Sequence, residues 1–176
     1  MGTDRDPTLL TYSMRQAHKA LVRNVEKQHG IQIKSADMAR DPWTQARLWR
    51  QSRSTARIQQ GSRKMATLGM HWLRSVLEEV GPQSGPWRTN ALPGLGWHQW
   101  GQAVDYWVPG TDGKPIWDDS HWGYLVLAEE AARLGLTSGY FWKQRDPGHV
   151  QLHRARVREA HSWSRIDQQM KARWAE

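Results

Sequence analysis

Cysteine is missing from all 176 residues of this chain. Its absence removes disulfides, thiolate metal ligands and cysteine nucleophiles together, and leaves any metal to histidine and carboxylate. No apolar run approaches the roughly 18–20 residues of a membrane span. The opening MGTDRDPTLLTYSMRQ has no apolar core of the kind a secretory signal carries, so synthesis in the cytoplasm without a cleaved leader is expected. There is no internal repeat, no low-complexity linker and no nucleic-acid-binding motif. The simplest expectation is one domain over 1–176, long enough to bury a core.

What is present in excess is base and tryptophan. The formal charge of +8 and pI of about 10.2 favour polyanions, nucleic acid and anionic envelope polymers alike. Twelve tryptophans are the odder count. Indoles fill cores and also stack on flat substrates, and roughly two-thirds are expected in the core with one-third as surface platform.

Apolar spacing predicts a helix over 8–28, with Leu10, Met14, Ala17, Leu21 and Val25 on one face and Gly30 as its stop. IQIKSA (31–36) alternates like a strand. Asp41-Pro42 opens a helix to about Gln51, with proline at a tolerated first position. Residues 52–61 read as polar loop and 62–80 as a third helix. The glycine-rich stretch 81–102 reads as loop, AVDYWV (103–108) as a strand and 109–114 as a turn. A helix over 120–134 follows, then short strands in SGYFW and HVQL around the turn RDPG (145–148). In the tail 154–176, Trp163, Ile166, Met170 and Trp174 form one face of a basic amphipathic helical extension. That face either packs on the domain or meets an anionic envelope surface. The class is α+β, with helices flanking a small central antiparallel sheet.

GWHQWGQAVD (96–105) and DPGHVQL (146–152) carry the chemistry. His98, Asp105 and His149 offer two imidazoles and a carboxylate, a ligand set that leaves a fourth position on a catalytic zinc for water. Strand alternation puts Ala103, Asp105 and Trp107 on one face, opposite Val104, Tyr106 and Val108. An aspartate on such an apolar face is costly unless paired or bound to a cation. His149 and Gln151 share the corresponding face of HVQL. Asp146 reads equally as a plain turn former and as an acid placed to handle a water's proton. His18, His29, His71, His121, His153 and His161 read as ordinary surface or core histidines. A His149–His153 pair would need a helix that HVQL does not favour. On spacing alone a zinc site is one reading among several.

The paired strings resemble the SxHxxGxAxD and DxxH motifs of the D-alanyl-D-alanine carboxypeptidase and L-alanyl-D-glutamate endopeptidase family. These are zinc peptidases of peptidoglycan, several of them phage endolysins. The resemblance runs from about residue 31 to 153 and implies a hedgehog/D-Ala-D-Ala-peptidase-like fold with a Zn2+ cofactor. It implies that His98, Asp105 and His149 are the ligands and Asp146 the general base. Arg40-Asp41-Pro42-Trp43-Thr44-Gln45, followed by Leu48, is similar to the family's RTxxxQxxL segment and implies that Arg40 binds a carbonyl or carboxylate of the substrate. Arg40 and Trp97 are expected to contact substrate. One departure stands out: the family serine two positions before the first histidine is Gly96 here.

The implied substrate is the peptidoglycan peptide stem. ALPGLGWHQWG (91–101) looks most like phage endolysins cutting L-Ala–D-Glu, released to the periplasm through a separate pore for host lysis. A D-alanyl-D-alanine carboxypeptidase and a non-catalytic cell-wall-binding module are the alternatives. No nucleic-acid partner is expected, and a monomer is.

Overall fold

A computed structural model describes residues 6–175; the first five residues, part of the opening in which no leader is expected, and the last residue of the tail lie outside the described residues. In chain order the elements are α1 (Tyr12–His29), β1 (Lys34–Asp37), α2 (Pro42–Arg50), α3 (Thr55–Thr67), α4 (His71–Glu79), β2 (Ala103–Pro109), β3 (Pro115–Ile116), α5 (Trp122–Arg133), β4 (Thr137–Ser138), β5 (His149–Gln151), α6 (Val157–Ala160) and α7 (Trp163–Trp174). This is the α+β arrangement, helices with one small antiparallel sheet. The chain resolves into two units: a sheet unit, Met1–Ala39 with Gly101–Arg154, and a helical unit, Arg40–Trp100 with Ala155–Glu176.

In the sheet unit the strand order is β1-β2-β5-β4, with β3 paired to the far end of β2, and every pairing is antiparallel. β2 alternates as its sequence requires. Val104, Tyr106 and Val108 join Val150 of β5 in a core completed by Met14, Leu21 and Val25 of α1 and Leu127 and Ala131 of α5. Burial of these side chains, each contributing on the order of 1.5–3 kcal/mol, anchors the sheet's register. α1 begins later than its apolar spacing indicates. The Thr11 hydroxyl accepts from Met14 N–H at 3.3 Å, which fixes the helix start at Tyr12, while Pro7–Leu9 forms a separate 3-10 turn capped by Asp6. SGYFW is only partly a strand, because Gly139–Phe141 closes into a 3-10 turn capped by the Ser138 hydroxyl.

The helical unit departs further from the sequence expectation. α2 starts at Pro42 with Asp41 accepting from Thr44 N–H at 2.8 Å, as the Asp-Pro pair requires. Residues 55–61, expected as loop, are the first half of α3, capped by Ser54. The buried face of α3 is Gly61, Ser62 and Met65, too small and polar to register as an apolar stripe. The expected single helix 62–80 breaks at Gly69, whose φ of +76° no continuing helix adopts. α4 lacks a cap of its own. Asp167 of α7 supplies one, accepting from Trp72 N–H at 3.1 Å and Leu73 N–H at 2.8 Å, a carboxylate at the positive end of a helix. The amphipathic face of the tail therefore packs: Ile166 and Met170 are buried and α7 lies on α4.

The tryptophans divide differently from the expected two-to-one ratio. Trp49, Trp97 and Trp100 are buried, Trp87, Trp117, Trp122 and Trp142 are exposed, and the other five are half-buried. Half-burial suits an indole whose ring covers apolar surface while its N–H finds a partner, as Trp43 does on Glu79 at 3.0 Å.

Candidate metal centre

β2 and β5 pair so that Asp105 stands opposite His149. Asp105 Oδ1 lies 2.8 Å from His149 Nδ1, and His149 Nε2 lies 2.9 Å from Gln151 Oε1. The shared face of His149 and Gln151 is thus the face that meets the aspartate. Burial works to lower the pKa of His149, but the hydrogen bond and charge of Asp105, with the charge of Asp146, outweigh it and hold the imidazole above the ordinary histidine range. Gly148 makes the approach of β5 possible. A Cβ there would sit 2.2 Å from the Tyr106 carbonyl oxygen, and Gly148 instead accepts from Tyr106 N–H at 2.8 Å. Asp146 is exposed at the start of this hairpin end. Its N–H donates to Gly139 O and its carbonyl accepts from His149 N–H, both at 3.0 Å, which fixes its position in the turn.

His98 sits in a 3-10 turn, Trp97–Trp100, and is 6% exposed. The tail clamps this turn from several sides. Trp97 donates its indole N–H to Ala155 O at 2.9 Å, Trp174 donates its own to Gln99 O at 2.9 Å, and the Trp100 ring stacks on His161 at 4.4 Å. Arg40 N–H donates to His98 O at 3.2 Å, so the Arg40 segment runs beside the histidine's backbone.

His98, Asp105 and His149 each offer one ligand atom, and these atoms all lie within 4.8 Å of one another. Tetrahedral zinc with ligands at about 2.0–2.1 Å has its ligand atoms roughly 3.4 Å apart, inside the 4.8 Å limit these three atoms share. Two imidazoles and a carboxylate suit a divalent ion of borderline softness, and the three could hold one. No protein-family model matches the chain, and no curated protein sequence does. Among solved structures the chain is similar to a vancomycin-resistance D,D-pentapeptidase, VanY from a VanB-type resistance cassette, crystallised as a variant in complex with Zn(II). Identity is 15%, the TM-score 0.48, and the match covers 93% of this chain and 83% of that one. At that identity the likeness assigns no residue a role.

Three of the remaining histidines have local duties. His18 pairs with the Tyr106 hydroxyl at 2.8 Å, His121 caps α5, and His153 bonds Gln102 at 2.8 Å. None of them joins a metal-ligating group among the described residues. Trp97 does not offer the open platform expected of a substrate contact. It is 4% exposed, with its N–H committed to Ala155 and its ring edge-on to Trp100, which makes it packing for the His98 turn.

Two features were not found from the sequence. One is an amide relay: Gln45 Oε1 accepts from Arg40 Nη1 at 3.0 Å and from Gln99 Nε2 at 3.1 Å, and Gln99 Oε1 accepts from Gly96 N–H at 3.1 Å. The glutamine five residues after Arg40 is therefore its partner, and Gln99 holds the backbone at the position where the serine is missing. The other is Trp142, exposed, with its ring 5.1 Å from that of His149. The Arg40–Gln45 spacing was visible in the sequence, but the Gln45–Gln99 and Trp142–His149 contacts join residues that only the fold brings together.

Proposed function

We propose that this chain is a zinc peptidase hydrolysing the peptide stem of bacterial peptidoglycan, most specifically an L-alanyl-D-glutamate endopeptidase of the phage endolysin type. The observation that carries the reading is the convergence of the His98, Asp105 and His149 ligand atoms. The paired sequence motifs and the charge of +8, suited to an anionic envelope, add to it. A divalent ion in this set acts as a Lewis acid on a carbonyl and lowers the pKa of water toward about 7.

The chain's own residues supply the rest. Asp146, fixed in its turn and close enough for its charge to act on His149, takes the proton of the attacking water and passes it to the departing amine. Arg40, oriented by Gln45, presents a fixed cation to the carbonyl oxygen or to a stem carboxylate. Trp142, its ring 5.1 Å from that of His149, offers an exposed aromatic surface beside that ligand. In this reading the relay and the tail hold His98 and Arg40, and the β2–β5 pair holds the other two ligands.

Digestion of purified muropeptides tests the proposal. The expected product carries a newly exposed glutamate amine, and chelator stops its formation until zinc is returned. Release of free D-alanine in its place identifies a carboxypeptidase. Hydrolysis indifferent to chelator, or none with zinc-loaded protein, removes the reading.

A further inference from the structure

Gln151 lies beside His149 on β5, buried with 6% exposure. Its side-chain amide is not free to turn over. Gln151 Nε2 donates to the His153 carbonyl oxygen, a group that can only accept, so Oε1 is the atom facing His149. An amide oxygen 2.9 Å from His149 Nε2 also accepts only, and Nε2 must therefore carry a proton. Nδ1 faces Asp105 Oδ1 at 2.8 Å, where a ring proton bridges the pair; it is this proton that a cation shared with Asp105 would displace, while the Nε2 proton stays hydrogen-bonded to Gln151.

We propose that Gln151 is a positioning residue that selects the tautomer of His149 and commits Nδ1 to the metal, an inference that rests on the metal reading above. Partners of this kind orient ligand imidazoles, and their loss typically lowers metal affinity on the order of 10–100-fold. The chain of constraint runs from the His153 carbonyl through the amide to the ring, and each link has one allowed donor direction. Asp105 cannot do the same work, because a carboxylate shared with the metal leaves Nε2 without an acceptor.

The test is nitrogen-15 spectroscopy of histidine-labelled protein, with zinc ion as the probe. In the zinc-loaded wild type the His149 ring is expected to show its proton on Nε2 and the metal shift on Nδ1. In Gln151→Leu the Nε2 proton exchanges rapidly, and competition with a chromophoric chelator reads a 10–100-fold weaker zinc affinity while the thermal melt stays cooperative. A wild-type ring with zinc on Nε2 overturns the inference and leaves the metal site intact, as does unchanged zinc affinity in a folded Gln151→Leu. Where wild type takes up no zinc, the metal reading fails by itself. The metal-free wild type still decides the hydrogen bond: a slowly exchanging Nε2 proton supports the assignment and its absence overturns it.

Discussion

The helical unit and the sheet unit each bury a polar cluster, and the two are built from different chemistry. In the helical unit the buried groups are amides around one guanidinium. Gln45 accepts from Arg40 and Gln99 and donates to Ala91 O at 2.7 Å and Thr89 Oγ1 at 3.3 Å, so its hydrogen-bonding capacity is filled by protein. In the sheet unit the group is Asp105, His149 and Gln151, where the imidazole pairs with a carboxylate oxygen at 2.8 Å through one nitrogen and with an amide oxygen at 2.9 Å through the other. A cluster satisfied by its own chain is scaffold. A carboxylate paired with an imidazole, both able to ligate, is the kind of group that could take up a divalent ion.

Four substitutions break or sharpen that contrast. The largest effect belongs to His149→Ala, which removes a ligand: metal content by elemental analysis falls to background, and stem hydrolysis with it. Asp146→Ala comes next and separates holding from reacting. Zinc stays stoichiometric while kcat falls by on the order of 10²–10⁴, the usual weight of a positioned acid or base. On the scaffold side, Gln45→Leu strands Arg40 Nη1 and Gln99 Nε2 in a buried place. Urea unfolding should show a loss of about 1–3 kcal/mol for the stranded donors.

The smallest effect probes a carboxylate of the sheet unit that needs no metal. Glu130 is 2% exposed and accepts from Asn24 at 2.9 Å and Arg133 at 2.8 Å, with His29 at 3.7 Å. Burial raises its pKa, but these partners outweigh burial and hold it below the ordinary carboxylate value. A depressed folded pKa stabilises fully above the unfolded value of roughly 4.3 and is lost as pH falls through the lower folded one. Glu130→Gln should therefore lower the melting temperature most at neutral pH, flatten its fall below about pH 5, and approach the wild-type value in acid, where Glu130 itself is protonated.

Much of the site could be read in the sequence because its ligands sit on short, strongly patterned segments. The period-two alternation of AVDYWV placed Asp105 away from the core, and the turn RDPG before HVQL marked where β5 begins. Asp41-Pro42 announced α2 with cap and proline together. The helical unit hid more. The buried face of α3 is glycine, serine and methionine, so periodicity could not mark it, and its first turn looked like polar loop. The α4 cap comes from Asp167, nearly a hundred residues along the chain, and the Gln45–Gln99 relay spans 54 positions. Propensity and spacing describe neighbours in sequence, whereas these contacts exist only once the tail has packed.

Everything in this account depends on one ion at three side chains. Zinc stoichiometry measured by elemental analysis after dialysis against zinc and desalting tests it most directly. One equivalent in wild type, abolished separately by His98→Ala, Asp105→Ala and His149→Ala in proteins that still melt cooperatively, is the predicted result. Wild-type protein that retains no more metal than those variants would contradict it.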